Sequence, residues 1–150
     1  MEALKSFVNK RVHHEYTNVF IFSSCNMTDI IYRQESYDVV GCLYEVFNCL
    51  GSGLSEIVYK DALKYEFIQR NISFEREKEF SVPYKDIILK HKFYADFVVY
   101  DKIILEIKTV EILTDLHLGQ CINYLKVSKN KLAILANFKG EGLEYKRVVL

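Results

Sequence analysis

The sequence predicts a single α/β domain, and three changes of hydrophobic period carry that reading. Apolar residues first recur at helical spacing. From Phe74 they alternate in steps of two. Helical spacing then returns between Thr114 and Val127, and two further strands close the chain. The element order is α-α-β-β-β-β-α-β-β, with no repeat, low-complexity tract or domain linker.

The first helix is expected from Ser36 to Leu50, where Val39, Val40, Leu43, Val46, Phe47 and Leu50 form one apolar face. Gly51-Ser52-Gly53 stops it, because glycine tolerates the left-handed conformation that ends helices. A second helix runs from about Leu54 to Arg70, with Asn71 suited to its end. Phe74 to Val82 reads as a strand and Pro83-Tyr84-Lys85-Asp86 as a turn. Ile87 to His91, Phe93 to Tyr100 and Lys102 to Thr109 follow as strands. Only Lys92 separates the first two of these, so one long strand is the alternative. Thr114 is a suitable N-cap for the third helix. Leu132 to Asn137 and Lys146 to Leu150 are the last strands. Residues 1–33 are irregular in pattern apart from Val19-Phe20-Ile21-Phe22, and they read as an arm, an edge strand or a contact with another copy of the chain. The domain proper is therefore placed at 34–150.

Composition excludes little but bounds the answer. Half of the 150 residues are hydrophobic, 27% are charged, and 20 basic residues balance 20 acidic ones. No global field draws the chain to nucleic acid or an anionic membrane, although a local basic rim would suffice for the former. Cys25, Cys42, Cys49 and Cys121 form no C-x-x-C pair and have no histidine at zinc-finger spacing, so reduced thiols are expected. The start MEALKSFVNKRVHHEY has no long apolar stretch, and TNVFIFSSC is too short to span a bilayer. A cytoplasmic protein with no membrane partner is the expectation.

Chemistry concentrates in ADFVVYDKIILEIKTV, residues 95–110. These strands are apolar enough to be buried, yet they carry Asp96, Glu106 and Lys108. Side chains alternate across a strand, so Glu106 and Lys108 share a face. A turn made of Tyr100, Asp101 and Lys102 would pair Asp96 with Glu106 directly; a shorter turn would slip the register and separate them. Two carboxylates this close repel unless one takes a proton or a cation joins them. Mg²⁺ or Mn²⁺ suits such a pair, because hard cations bind through one or two carboxylates and keep other positions for water or phosphate. The lysine beside them can orient or deprotonate an attacking water and stabilise charge on a phosphoryl oxygen. Glu-x-Lys in a strand is also the pattern of a solvated face or an ion-pair network. The apolar flanks weigh against that, since an acid in a buried run needs a partner.

Two more segments bear on the choice. In GLSEIVY, Gly53, Glu56 and Tyr59 stand at G-x-x-E-x-x-Y spacing, which puts Glu56 and Tyr59 on one face of a helix start. In HLGQCINYLK, His117, Gln120 and Tyr124 share a helical face. Packing alone accounts for Tyr59 and Tyr124, and less well for Gln120.

Taken in order, LGSGLSEIVY, YADFVV, IILEIKTV, GQCINYL and LAILANF resemble the GxxExxY family, a branch of the PD-(D/E)XK nuclease superfamily. The resemblance spans about Tyr37 to Leu150. It implies a restriction-endonuclease-like fold, a central mixed sheet flanked by helices with a hydrolytic site at its edge. It implies Asp96, Glu106 and Glu56 as metal-binding acids and Lys108 as the catalytic lysine. Gln120 and Tyr124 are implied as helix residues that line the site and position substrate. The implied activity is Mg²⁺- or Mn²⁺-dependent hydrolysis of phosphodiester bonds, most simply of DNA. The chain departs from the family at three places. Phe47 follows Glu45-Val46 where a His is usual, Ser52 replaces a Pro, and Tyr94 replaces an Arg before Ala95-Asp96. These departures motivate the alternative expectation, a nuclease-fold module that binds nucleic acid or a protein without cutting. Self-association through residues 1–33 is a further expectation.

Overall fold

The computed structural model describes residues 20–22, as backbone, and 31–150. The elements are β1 (Phe20–Phe22), α1 (Arg33–Leu50), α2 (Glu56–Gln69), β2 (Phe74–Tyr84), β3 (Ile87–Val99), β4 (Ile103–Lys108), α3 (Asp115–Ser128), β5 (Leu132–Asn137) and β6 (Glu144–Val149). They build one mixed six-stranded sheet in the order β1-β6-β5-β4-β3-β2. Strands β4 and β5 are parallel, joined by the α3 crossover, and the other neighbours are antiparallel.

Alternation along the strands divides the core into two layers. Phe97, Val99, Ile103, Leu105, Ile107, Ile134 and Ala136 face α1 and α2. Val98, Ile104, Ala133 and Leu135 face α3. The segment Ile87–His91 and the segment Phe93–Tyr100 prove to be one strand, the long-strand alternative, with Lys92 continuing the ladder opposite Ser81. Strand β2 also runs past its expected end to Tyr84. Pro83 pairs with Ile88 across a register shift, which an edge strand accommodates because no further neighbour needs the missing N–H. Ile87–Lys92 are exposed, so the outer part of the β2–β3 ribbon stands away from the core.

Within the sequence-predicted arm, Phe20–Phe22 form the edge strand beside β6. Residues 1–19 and 23–30, and with them the expected self-association, lie outside the described residues. Cys42, Cys49 and Cys121 are free thiols, as expected. Among the described residues no helix is long and apolar enough to cross a membrane.

Tyr59 ties the loop before α2 to the core. Its ring stacks on Phe138 at 4.3 Å, and its hydroxyl donates to the Gly51 carbonyl (2.8 Å) and accepts from the Leu54 N–H (3.2 Å). The tyrosine of the G-x-x-E-x-x-Y segment is thus a fully buried anchor that fixes where α2 begins. Tyr59→Phe keeps the stack and loses both hydrogen bonds. We expect it to lower stability by about 1–2 kcal/mol, read by urea denaturation.

Candidate functional site

The hairpin between β3 and β4 sets the site's register. Tyr100 and Asp101 both adopt left-handed backbone, at φ 57° and 55°, and the Lys102 N–H closes the turn on the Val99 carbonyl at 3.1 Å. Left-handed backbone is costly for a bulky tyrosine, and Tyr100 is held there from two sides. Its N–H donates to the Ser73 carbonyl (2.8 Å) and its hydroxyl to Asp38 of α1 (2.9 Å). The ladder runs Val99↔Ile103, Val98↔Ile104, Phe97↔Leu105. One step further, that register puts Asp96 opposite Glu106, the outcome the sequence ties to a three-residue turn.

At that step side chains take over from the backbone. The Ile107 N–H donates to the Asp96 carboxylate at 2.8 Å, and the β3–β4 ladder ends at Phe97↔Leu105. The alternation of β3 also slips here. Ala95 joins the α3-side cluster, as Val98 does, while Phe97 faces the other layer. Glu77, which lies between the partners of Ala95 and Phe97 on β2, has φ 52°. The β2–β3 register is unbroken across this step, so the slip is a local twist of the backbone and not an inserted residue. The Asp96 carboxylate thus meets the β4 backbone on one oxygen and Lys60 of α2 on the other.

Glu106 and Asp96 are among the few buried charged residues, at 3% and 8% exposure. Lys108 Nζ lies 2.8 Å from Glu106 Oε1, whereas Oε2 is buried with no hydrogen-bond partner among the described residues. Burial, followed by repulsion from Asp96, pushes the Glu106 carboxyl up to about 7 against the pull of Lys108. At Lys108 burial opposes the charge, but the Glu106 hydrogen bond and the charges of Glu106, Glu56 and Asp96 outweigh it and raise the ammonium pKa.

Glu56 opens α2 and acts on Lys108 through its charge. It does not join Asp96 and Glu106 in a tight cluster: among the described residues no three His, Cys, Asp or Glu side chains converge closely enough to hold an ion together. Gln120 and Tyr124 form a relay. The Gln120 amide donates to the Tyr124 hydroxyl (2.9 Å), which donates to the Tyr94 carbonyl (2.7 Å), two residues before Asp96. Burial and the Glu106 charge raise the Tyr124 phenol well above its usual range. His117 stays out of this relay, since its Nδ1 accepts the Thr114 N–H at 3.0 Å and caps α3. Phe47 packs against Phe138, and Tyr94 is exposed with its hydroxyl on Glu79.

Two neighbours escaped the sequence reading. Asn137, paired with Lys108 in the β4–β5 ladder, donates to the Val110 carbonyl (2.7 Å) and accepts its N–H (3.0 Å). It clamps the chain just beyond Lys108; a polar residue at the end of an all-buried strand was the available signal. Lys60 of α2 forms an ion pair with Asp96 Oδ1. Its position four residues after Glu56, hence on the same helical face, was the only hint.

The residues present suit a divalent cation. Two buried acids repel one another, one Glu106 oxygen is orphaned, and burial together with the Asp96 charge raises the Glu106 pKa despite Lys108.

A mixed sheet with helices on both faces and D…E-x-K at the splayed end of a hairpin defines the restriction-endonuclease-like class. Residues 33–148 match the family model of the PD-(D/E)XK nuclease superfamily, and the chain belongs to that superfamily. The GxxExxY resemblance falls within it. No curated protein sequence matches the chain. A solved structure, the crystal structure of SSO0001, is similar at 15% identity and a TM-score of 0.44, covering 76% of each chain.

Because the folded-state pKa of Glu106 lies above its unfolded value, folding takes up a proton between pH 4.5 and about 7. Stability of the metal-free protein should therefore fall as pH rises through that window, by roughly 3 kcal/mol at most. Glu106→Gln should flatten this slope in chelator, measured as denaturation midpoints against pH. An unchanged slope would contradict the assignment.

Proposed function

We propose that the chain is a Mg²⁺- or Mn²⁺-dependent nuclease that hydrolyses phosphodiester bonds, with DNA as its substrate. Superfamily membership supports the nuclease class. The observation that carries the reading is the orphaned Glu106 Oε2 beside Asp96, flanked by Lys108. Asp96 and Glu106 would hold the cation, with Glu56 reaching it only through water or substrate. When bound, the cation neutralises the carboxylate pair and polarises a phosphoryl oxygen.

The remaining work falls to the chain's own groups. Lys108, half-buried beside Glu106, donates to a phosphoryl oxygen and orients the attacking water. Asn137 fixes the strand end that carries Lys108. Gln120 and Tyr124 are positioning residues, which hold β3 just before Asp96 and so keep the carboxylate aimed at β4.

A second reading, a module that binds without cutting, is favoured by one observation: Lys60 already neutralises Asp96. The two readings separate on plasmid DNA. Purified protein should nick or degrade it with Mn²⁺ and stop with chelator, and Lys108→Ala should lower the rate about 10²-fold or more. Equal residual cleavage by wild type and Lys108→Ala would remove the lysine's role, and no cleavage by the wild type would favour the module.

A further inference from the structure

Both oxygens of the Asp96 carboxylate are engaged. Oδ2 accepts the Ile107 N–H, and Oδ1 is paired with Lys60, whose side chain is only 14% exposed. Lys60 is delivered by the same α2 face that carries Glu56, one turn earlier, so helix geometry fixes its approach. A cation shared by Asp96 and Glu106 would stand on the carboxylate that already holds that ammonium, and two positive charges at such range repel strongly out of bulk water. The lysine stem is flexible and its head strongly hydrated, so the ammonium can leave without disturbing the helix.

We infer that Lys60 is an internal counter-cation: it occupies the metal-facing oxygen of Asp96 and competes with the divalent ion for the site. The inference rests on the nuclease reading above. It makes cation uptake and release of Lys60 a single exchange, in which the acid pair is never left uncompensated. The freed ammonium then stands at the site, available to an anionic phosphodiester. Through that exchange, nucleic acid that pairs with Lys60 favours cation binding, and the coupling is reciprocal.

Mn²⁺ titration by calorimetry tests it on the full chain without any reference to cleavage. Lys60→Met should bind Mn²⁺ about tenfold more tightly than wild type, or better, on the scale of close charge pairs. Lys60→Arg, which keeps the charge, should stay near the wild-type affinity. Asp96→Asn should abolish binding in either background. If Lys60→Met does not fold, Lys60→Gln carries the same comparison. Wild-type binding that Lys60→Met leaves equal or weakens overturns the counter-cation role and leaves the metal site standing. Equal tightening in the Met and Arg variants makes the effect steric and also overturns it. No heat from wild type or Lys60→Met at millimolar Mn²⁺ removes the metal site, and the counter-cation role with it.

Discussion

A single hydrogen bond, from the Ile107 N–H to the Asp96 carboxylate, determines how this protein's chemistry is laid out. In an ordinary antiparallel pair the backbone of β3 would satisfy that donor. Here a side chain does so, and the strands can separate without orphaning a buried N–H. The cost of a buried carboxylate is then offset locally, by Lys60 on one oxygen and Ile107 on the other. Glu106 has no such complete set of partners: its one bonded oxygen goes to Lys108 and the other to nothing among the described residues. The imbalance falls on the acid at the centre of the group, which is where an added cation would gain most.

The surrounding fold serves that arrangement from a distance. Tyr100, strained but bonded to Asp38 and Ser73, sets the hairpin register and thereby the pairing of Asp96 with Glu106. Asn137 closes the opposite end of β4, and Gln120 and Tyr124 brace β3 from the α3 layer. Tyr59 fixes the start of α2 and so the reach of Glu56 and Lys60. These braces reach the hairpin from α1, α3 and β5, so the site is a product of the assembled sheet and helices and not of the hairpin alone.

The parts readable in the sequence were those governed by short-range geometry. Alternation placed Glu106 and Lys108 on one face, while the sequence left two turn lengths open and the fold takes the one that sets Asp96 toward Glu106. Helical spacing likewise found α1, α2 and α3, and Thr114 was recognised as the cap of α3. What escaped depends on contacts across the fold. Lys60 reaches Asp96 over 36 positions of chain, and a helical lysine carries no mark of such a partner in its own neighbourhood. The slip of alternation at Ala95 arises where Glu77 adopts positive φ on the facing strand, a feature without the glycine that would have announced it. Gln120 was legible as anomalous, yet its use as a donor to Tyr124 needed the approach of β3 to α3. The two strands expected on either side of Lys92 proved continuous, because a lysine on an exposed ribbon costs the ladder nothing.

Anomalous diffraction from crystals soaked in Mn²⁺ tests the central claim most directly. The account predicts one peak within about 2.0–2.4 Å of both Glu106 Oε2 and an oxygen of Asp96, with Lys60 moved off that carboxylate. A soaked crystal with no peak between the two acids, or with manganese bound elsewhere and Lys60 still on Asp96, would contradict it.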